Sequence, residues 1–157
     1  MKNMQDEIYD VFWEGRYEWS KRKLTPKRNH VLYAIFGTHY IYGPKTLLYI
    51  GRTERAGGKR LDEHAWWVDD ESDEVLFKLA SIGKFKNWKI RGKNPKYSPP
   101  RSEIIKRIES LLIYAHQPAY NSQGKQELTE FHNIRVFNSG RSAPLLPEVS
   151  YRYFRDE

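Results

Sequence analysis

Arg60 and His64 stand four residues apart in the run Lys59–His64, whose pattern is helical, so the two side chains are expected on one face about one turn apart. A guanidinium stays charged at any working pH and grips an anion through two hydrogen bonds, while an imidazole changes charge near neutrality. A carboxylate with an unusual position lies further on. Glu109 comes four residues after Ile105 and three before Leu112, within the apolar stripe Ile104, Ile105, Ile108, Leu111, Leu112 and Ala115. Its charge therefore falls on the border of a buried face, where it needs a cation. Spacing alone favours a salt bridge to Arg60; a divalent metal is the other candidate.

The elements that must carry these groups can be read on either side. Val31–Phe36 and Thr46–Gly51 are rich in aliphatic, aromatic and β-branched residues and are separated by the turn signal Gly43-Pro44, which predicts an antiparallel hairpin. Val31, Tyr33 and Ile35 alternate with Leu32, Ala34 and Phe36, so both faces are apolar, as in a central strand covered on both sides. Gly57-Gly58 reads as a loop before the Arg60 helix, and Val75–Ile82 as a further strand. Ser102 is the expected N-cap of the Glu109 helix, which Pro118 limits. Ile134–Phe137 reads as a short strand before a turn at Asn138-Ser139-Gly140, with Leu145, Leu146 and Pro147 packed on the domain. Near the start, Ile8, Val11, Phe12 and Trp19 follow a helical spacing and predict an amphipathic helix.

The chain has 157 residues, 27 Lys plus Arg against 20 Asp plus Glu, a net charge of +7 and no cysteine. This suits a single domain with an anionic partner, and it excludes disulfides, a thiol nucleophile and Cys-ligated zinc. No apolar run approaches the roughly 18 residues of a membrane span, and no signal peptide is recognisable, so a soluble, cytoplasmic chain without a membrane partner is expected. The positive charge is local. Lys84–Arg107 holds nine Lys and Arg against the single acid Glu103, more excess charge than the whole chain carries. Lys84, Lys86, Lys89, Arg91, Lys93, Lys96 and Arg101, with Trp88 among them, read as a ribbon of cations for phosphates and flat rings for stacking. Lys21, Arg22, Lys23, Lys27 and Arg28 form a second basic cluster, either a solvated segment or an arm on a phosphate backbone. The acidic patch Asp69–Glu74 reads as an exposed loop or helix start. His30, His39, His116 and His132 have no metal-site spacing.

Tyr49-Ile50-Gly51, followed in order by Arg60, His64, Glu109 and Pro118-Ala119-Tyr120-Asn121, resembles the catalytic module of the GIY-YIG nuclease family, over residues 30–122. The first motif departs from that pattern, reading Val31-Leu32-Tyr33, and Tyr42 in Ile41-Tyr42-Gly43 is an alternative to Tyr33. The resemblance implies an α/β (α+β) fold with a small, mainly antiparallel central sheet flanked by helices. Residues 1–29 would form an N-terminal helical and basic arm, and residues 123–157 a C-terminal extension of the single domain.

It also implies an activity: hydrolysis of DNA phosphodiester bonds with Mg²⁺ or Mn²⁺. The catalytic residues carried over are Tyr33, Tyr49, Arg60, His64, Glu109 and Asn121. Glu109 would hold the metal, Arg60 would bind phosphate oxygens, and a tyrosine would act as base, with Tyr33 and Tyr49 exchangeable in that role. A phenol with a reference pKa of about 10 is a poor base at neutral pH. Its pKa must fall, and Arg60, the metal or a proton relay through His64 would bring it down. The early position of the module and the lack of a large recognition domain point to a restriction endonuclease acting on double-stranded DNA, with a homodimer expected for cutting both strands. A phage or mobile-element nuclease, and a non-catalytic nucleic-acid-binding module on the same scaffold, are the alternatives.

Overall fold

The computed structural model describes residues 5–24, 29–53, 57–71, 73–91, 97–126, 128 and 132–155. It holds six strands: β1 (Glu7–Glu18), β2 (Leu32–His39), β3 (Gly43–Arg52), β4 (Leu76–Lys84), β5 (Ile134–Gly140) and β6 (Glu148–Ser150). Helices α1 (Gly57–Asp62), α2 (Ala65–Val68) and α3 (Ser102–His116) accompany them, with 3-10 turns at Trp19–Leu24 and Tyr151–Phe154. The strands form one sheet in the order β3-β2-β4-β1-β5-β6. Every neighbouring pair is antiparallel except β1 with β5, which makes the sheet mixed and the fold α+β.

The hairpin and the strand after it stand where their composition places them. Alternation then assigns each face a different cover. Leu32, Ala34, Phe36, Ile50, Ala80 and Ile82 pack with the apolar stripe of α3, whereas Tyr33, Ile35, Phe77 and Leu79 pack with Leu61, Val68 and Trp19 on the opposite face. Among the described residues only α3 is a long helix. The other face is covered by the short α1 and α2 and the first 3-10 turn, so the expectation of a sheet flanked by helices holds on one side and is thinner on the other.

The amphipathic helix expected at the start is instead β1. Tyr9, Val11 and Trp13 recur every second residue and are buried, and this period-two pattern prevails because β1 is hydrogen-bonded on both edges, to β4 and to β5. Gly15, at φ +113°, accommodates an irregularity where the register with β4 shifts. Asn138-Ser139-Gly140 also departs from expectation: these residues continue β5 beside Val11, Phe12 and Trp13 rather than turning. Asn138 is held there by a hydrogen bond from Trp13 Nε1 at 3.0 Å. The residues after 122 thus supply two strands of the sheet. Ser102 is the first residue of α3, and Arg101 takes the cap position without a side-chain hydrogen bond. Leu145 is buried as expected, while Leu146 is exposed.

β3 is an edge strand, and the chain after α3 covers it. Ala119 N–H donates to Leu47 O at 3.1 Å and Tyr120 N–H to Leu48 O at 2.7 Å. Asn121 then brackets Ile50, accepting from its N–H at 2.9 Å and donating to its carbonyl at 3.0 Å. Pro118–Asn121 therefore acts as a short seventh neighbour that blunts the edge and fixes the β3 segment carrying Tyr49 and Gly51. No helix among the described residues is long and apolar enough to cross a membrane.

Candidate active site

The site starts from a cross-strand pair. Tyr33 on β2 lies opposite Gly51 on β3, and a Cβ at position 51 would stand 2.3 Å from both Cζ and Oη of the phenol. Gly51 is needed here for space: the ring lies against its backbone, where any side chain would displace it. Tyr33 also stacks on Tyr49, ring centroids 6.0 Å apart and planes 16° from parallel.

The phenol reaches His64. Tyr33 Oη and His64 Nε2 are 2.7 Å apart, and Trp67 Nε1 donates to His64 Nδ1 at 3.1 Å. An indole N–H can only donate, so the neutral imidazole carries its proton on Nε2 and donates it to Tyr33 Oη. Burial and the Arg60 charge push the His64 pKa down to about 4, which keeps it neutral near pH 7. A relay in which His64 takes the Tyr33 proton is thereby disfavoured, because the acceptor lone pair faces Trp67. His64 is built to hold the phenolic oxygen, including an oxyanion.

Arg60 and His64 do not share one continuous helix. α1 ends at Asp62, His64 N–H closes a tighter turn onto Leu61 O at 2.9 Å, and His64 is the cap residue of α2. The break turns the imidazole towards the sheet while Arg60 stays on α1. One guanidinium nitrogen of Arg60 pairs with Glu63, but its Nε is buried and has no hydrogen-bond partner. Burial leads the influences on both tyrosines and raises their pKa values. Tyr49 adds to the rise at Tyr33 and Glu109 to that at Tyr49, and Arg60 only partly offsets these effects. Arg60 acts on the phenols in the expected direction, and burial outweighs it.

Glu109 projects from α3 with its side chain 19% exposed. The salt bridge expected with Arg60 goes elsewhere: Arg52 Nε lies 3.9 Å from the Glu109 carboxylate, while Arg60 pairs with Glu63. Burial raises the Glu109 pKa, with Arg52 and then Arg60 opposing. Tyr33, Tyr49, Arg60, His64 and Glu109 thus lie close enough to perturb one another. Asn121 is set apart: both ends of its amide are engaged by Ile50, so it positions β3. Arg52 and Trp67 are the site residues that sequence reasoning missed. Arg52 directly follows Tyr49-Ile50-Gly51, and Trp67 stands three residues after His64, but neither type signals its partner.

Glu109 offers one hard carboxylate, and no group of three His, Asp or Glu side chains forms among the described residues. That donor set suits an ion that keeps most of its waters, Mg²⁺ or Mn²⁺, and does not suit a zinc or calcium cage. The remaining histidines have structural partners. His30 meets Glu14, His39 Nδ1 accepts from Ile41 and Tyr42 N–H, His116 bridges Leu112 O and Leu146 N–H, and His132 packs edge-on to Tyr151.

The basic ribbon divides. Lys84, Lys86, Trp88, Lys89 and Arg101 are exposed. Arg91 is not available: its Nε donates to the buried Asp10 at 3.1 Å, its Nη2 to Asn138 O at 2.9 Å, and it stacks over Trp88 and Phe137. Lys93 and Lys96 lie outside the described residues, as do Lys27 and Arg28 of the N-terminal cluster. In that cluster Arg22 donates to Asp62 at 2.7 Å, tying the first 3-10 turn to α1. Compared with models of protein families, with curated proteins and with solved structures, the chain matches none.

Proposed function

We propose that the protein is a divalent-metal-dependent endodeoxyribonuclease of GIY-YIG type, acting on double-stranded DNA as a sequence-specific restriction enzyme and cutting both strands as a homodimer. One observation carries the reading. The phenol of Tyr33, held at 2.7 Å by the Nε2–H of a neutral His64, lies within electrostatic reach of the Arg60 guanidinium and of the half-buried carboxylate of Glu109. Arg60, permanently charged and set against the Tyr33 phenol, would offset the negative charge that builds on the phosphate oxygens. Tyr33 would take the proton of the attacking water once its own proton has left. His64 Nε2–H would stabilise the resulting phenolate, opposing the rise imposed by burial. Tyr49 would fix the Tyr33 ring by stacking. Glu109 is the residue that would hold Mg²⁺ or Mn²⁺, whose chemistry there is to neutralise the phosphate and the leaving oxygen.

The raised phenol pKa favours a second reading, a nucleic-acid-binding module that keeps the scaffold without catalysis. Incubating the protein with mixed-sequence duplex DNA in Mg²⁺ or EDTA, beside Glu109→Ala, separates the two. Discrete Mg²⁺-dependent fragments absent with Glu109→Ala support the restriction enzyme, and a smear means a nuclease with little sequence choice. DNA that is shifted in a gel yet uncut with both Mg²⁺ and Mn²⁺ overturns the nuclease and leaves the binder.

A further inference from the structure

Glu109 faces a second region besides the tyrosine pocket. An open cleft of about 820 Å³ runs between α3 and residues 122–126, and Arg52, Lys106, Glu109, Ser110, Gln123 and Lys125 are among its lining residues. Lys106 lies one turn before Glu109 on α3 and is exposed, and Lys125 projects from the facing segment and is half-buried. Among the described residues neither ammonium pairs with a carboxylate, whereas Arg52 stands by Glu109 and the neighbouring Arg107 is taken by Glu103 at 2.9 Å. The segment's position is fixed rather than incidental: Gln117, the left-handed cap residue of α3, donates from its side chain to Lys125 O at 2.7 Å.

The lining is polar and, with Arg52, Lys106, Arg107 and Lys125 against Glu103 and Glu109, carries a net positive charge, unlike the mostly apolar, enclosing pocket expected for a small organic ligand. It suits a chain of phosphates with neutral hydrogen-bonding groups between them. The other exit from the site is less favourable. Past His64 it meets Trp67, then Tyr120, whose hydroxyl donates to Glu71 at 3.4 Å, beside Asp69 and Asp70. Anionic side chains there would repel a phosphate backbone. The exposed ribbon residues are also displaced: Arg101 is eight residues, about 12 Å of helix rise, from Glu109.

Resting on the nuclease reading, we infer that this cleft binds the sugar–phosphate backbone of the strand being cut, to one side of the scissile phosphate. Lys106 and Lys125 each engage a phosphate, and Ser110 and Gln123 face the sugars or base edges.

The test uses the full chain and a short DNA duplex in EDTA. Dissociation constants are measured against salt for the wild type, for Lys106→Ala/Lys125→Ala, and for Lys84→Ala/Lys86→Ala. Loss of two phosphate contacts makes the slope of log K against log[salt] shallower by about 1.8, at about 0.9 per phosphate. The cleft variant is expected to show that change with an unaltered unfolding midpoint, and the ribbon variant much less of it. If the wild type cuts DNA in a Glu109-dependent way but the cleft variant keeps the full slope, the inference falls and the nuclease reading stands. If the wild type neither binds nor cuts DNA, both fall together.

Discussion

Two regions stand out in the sequence for opposite reasons, and the structure uses them differently. The Tyr33–His64 pocket is announced by only a few residue types at modest spacing, yet its groups converge to 2.7 Å and 3.1 Å contacts. The Lys84–Arg101 stretch is announced by a large excess of charge, yet its Arg91 is committed to the buried Asp10 and its Trp88 packs on Phe85 and Phe137. Charge counted along a chain measures supply. Availability is decided by what the fold has already engaged, and a buried carboxylate engages a guanidinium more firmly than solvent does. In the first region, by contrast, strand register sets Tyr33 against Gly51 and Tyr49, and the short α2 brings His64 and Trp67 to the phenol.

The largest expected effect separates chemistry from scaffold in the first region. Tyr33→Phe keeps the ring over Gly51 and the stack on Tyr49 but removes the hydroxyl that His64 holds. Cleavage of duplex DNA should fall by about a hundredfold or more if the phenol is the base, while stability changes by about 1 kcal/mol. Cleavage at the wild-type rate would move the base elsewhere and reduce the pocket to packing. The matching test of the second region is Asp10→Ala. Asp10 is 2% exposed and holds both Arg91 and the Tyr97 hydroxyl, so its loss strands a guanidinium and should cost about 3 kcal/mol in denaturant unfolding. A change below about 1 kcal/mol would return Arg91 to the pool of free cations and erase the contrast.

How much of this was legible follows the same division. The β2–β3 hairpin, β4 and α3 were readable because each has one dominant period or composition, and each has apolar residues enough to enforce it. β1 was not, because Ile8, Val11, Phe12 and Trp19 satisfy a helical spacing while Tyr9, Val11 and Trp13 satisfy a strand. The choice between them depends on two strands distant in sequence, β4 and β5. The Arg60–His64 spacing was legible, but the break between α1 and α2 was not, since it is made by a turn closing on Leu61 O rather than by glycine or proline. Glu109 was recognisable as a charge in need of a partner. That the partner is Arg52 depends on how α3 packs along edge strand β3, which no local pattern encodes. The resemblance to GIY-YIG nucleases names Tyr33, Tyr49, Arg60, His64 and Glu109 but neither Arg52 nor Trp67, and the fixed tautomer of His64 follows only from Trp67.

Trp67 gives the next, smaller effect. Trp67→Phe keeps an aromatic ring by His64 but withdraws the donor on Nδ1, leaving the imidazole free to move its proton there and stop donating to Tyr33. Losing one hydrogen bond to a developing phenolate corresponds to about a tenfold fall in rate. A faster variant would mean that a relay through His64 serves better than the fixed donor, and the first region would then work by proton transfer.

The last effect is read in stability against pH. His64 has a pKa of about 4 in the folded chain against an ordinary 6.5, because burial and Arg60 disfavour its charged form. Between those values the unfolded chain binds a proton that the folded chain refuses, so the contribution is fully present above about pH 6.5 and is lost as pH falls towards about 4. Burial lowers His116 as well, with the same sign, and raises Glu109 and Asp10 with the opposite sign, while the Tyr153 hydroxyl helps to lower Glu148 with the same sign as His64, so the wild-type profile alone mixes several groups. His64→Gln removes one of them and keeps the others. The difference in unfolding free energy between wild type and variant should therefore shrink steadily from pH 6.5 to pH 4 and stay level above pH 7. A flat difference across that window would mean that His64 is protonated as easily in the folded chain as in the unfolded one. The Trp67–His64–Tyr33 chain would then carry a charged imidazole at any pH below about 6.5, and the case that burial and Arg60 hold a neutral, fixed donor beside the phenol would fail.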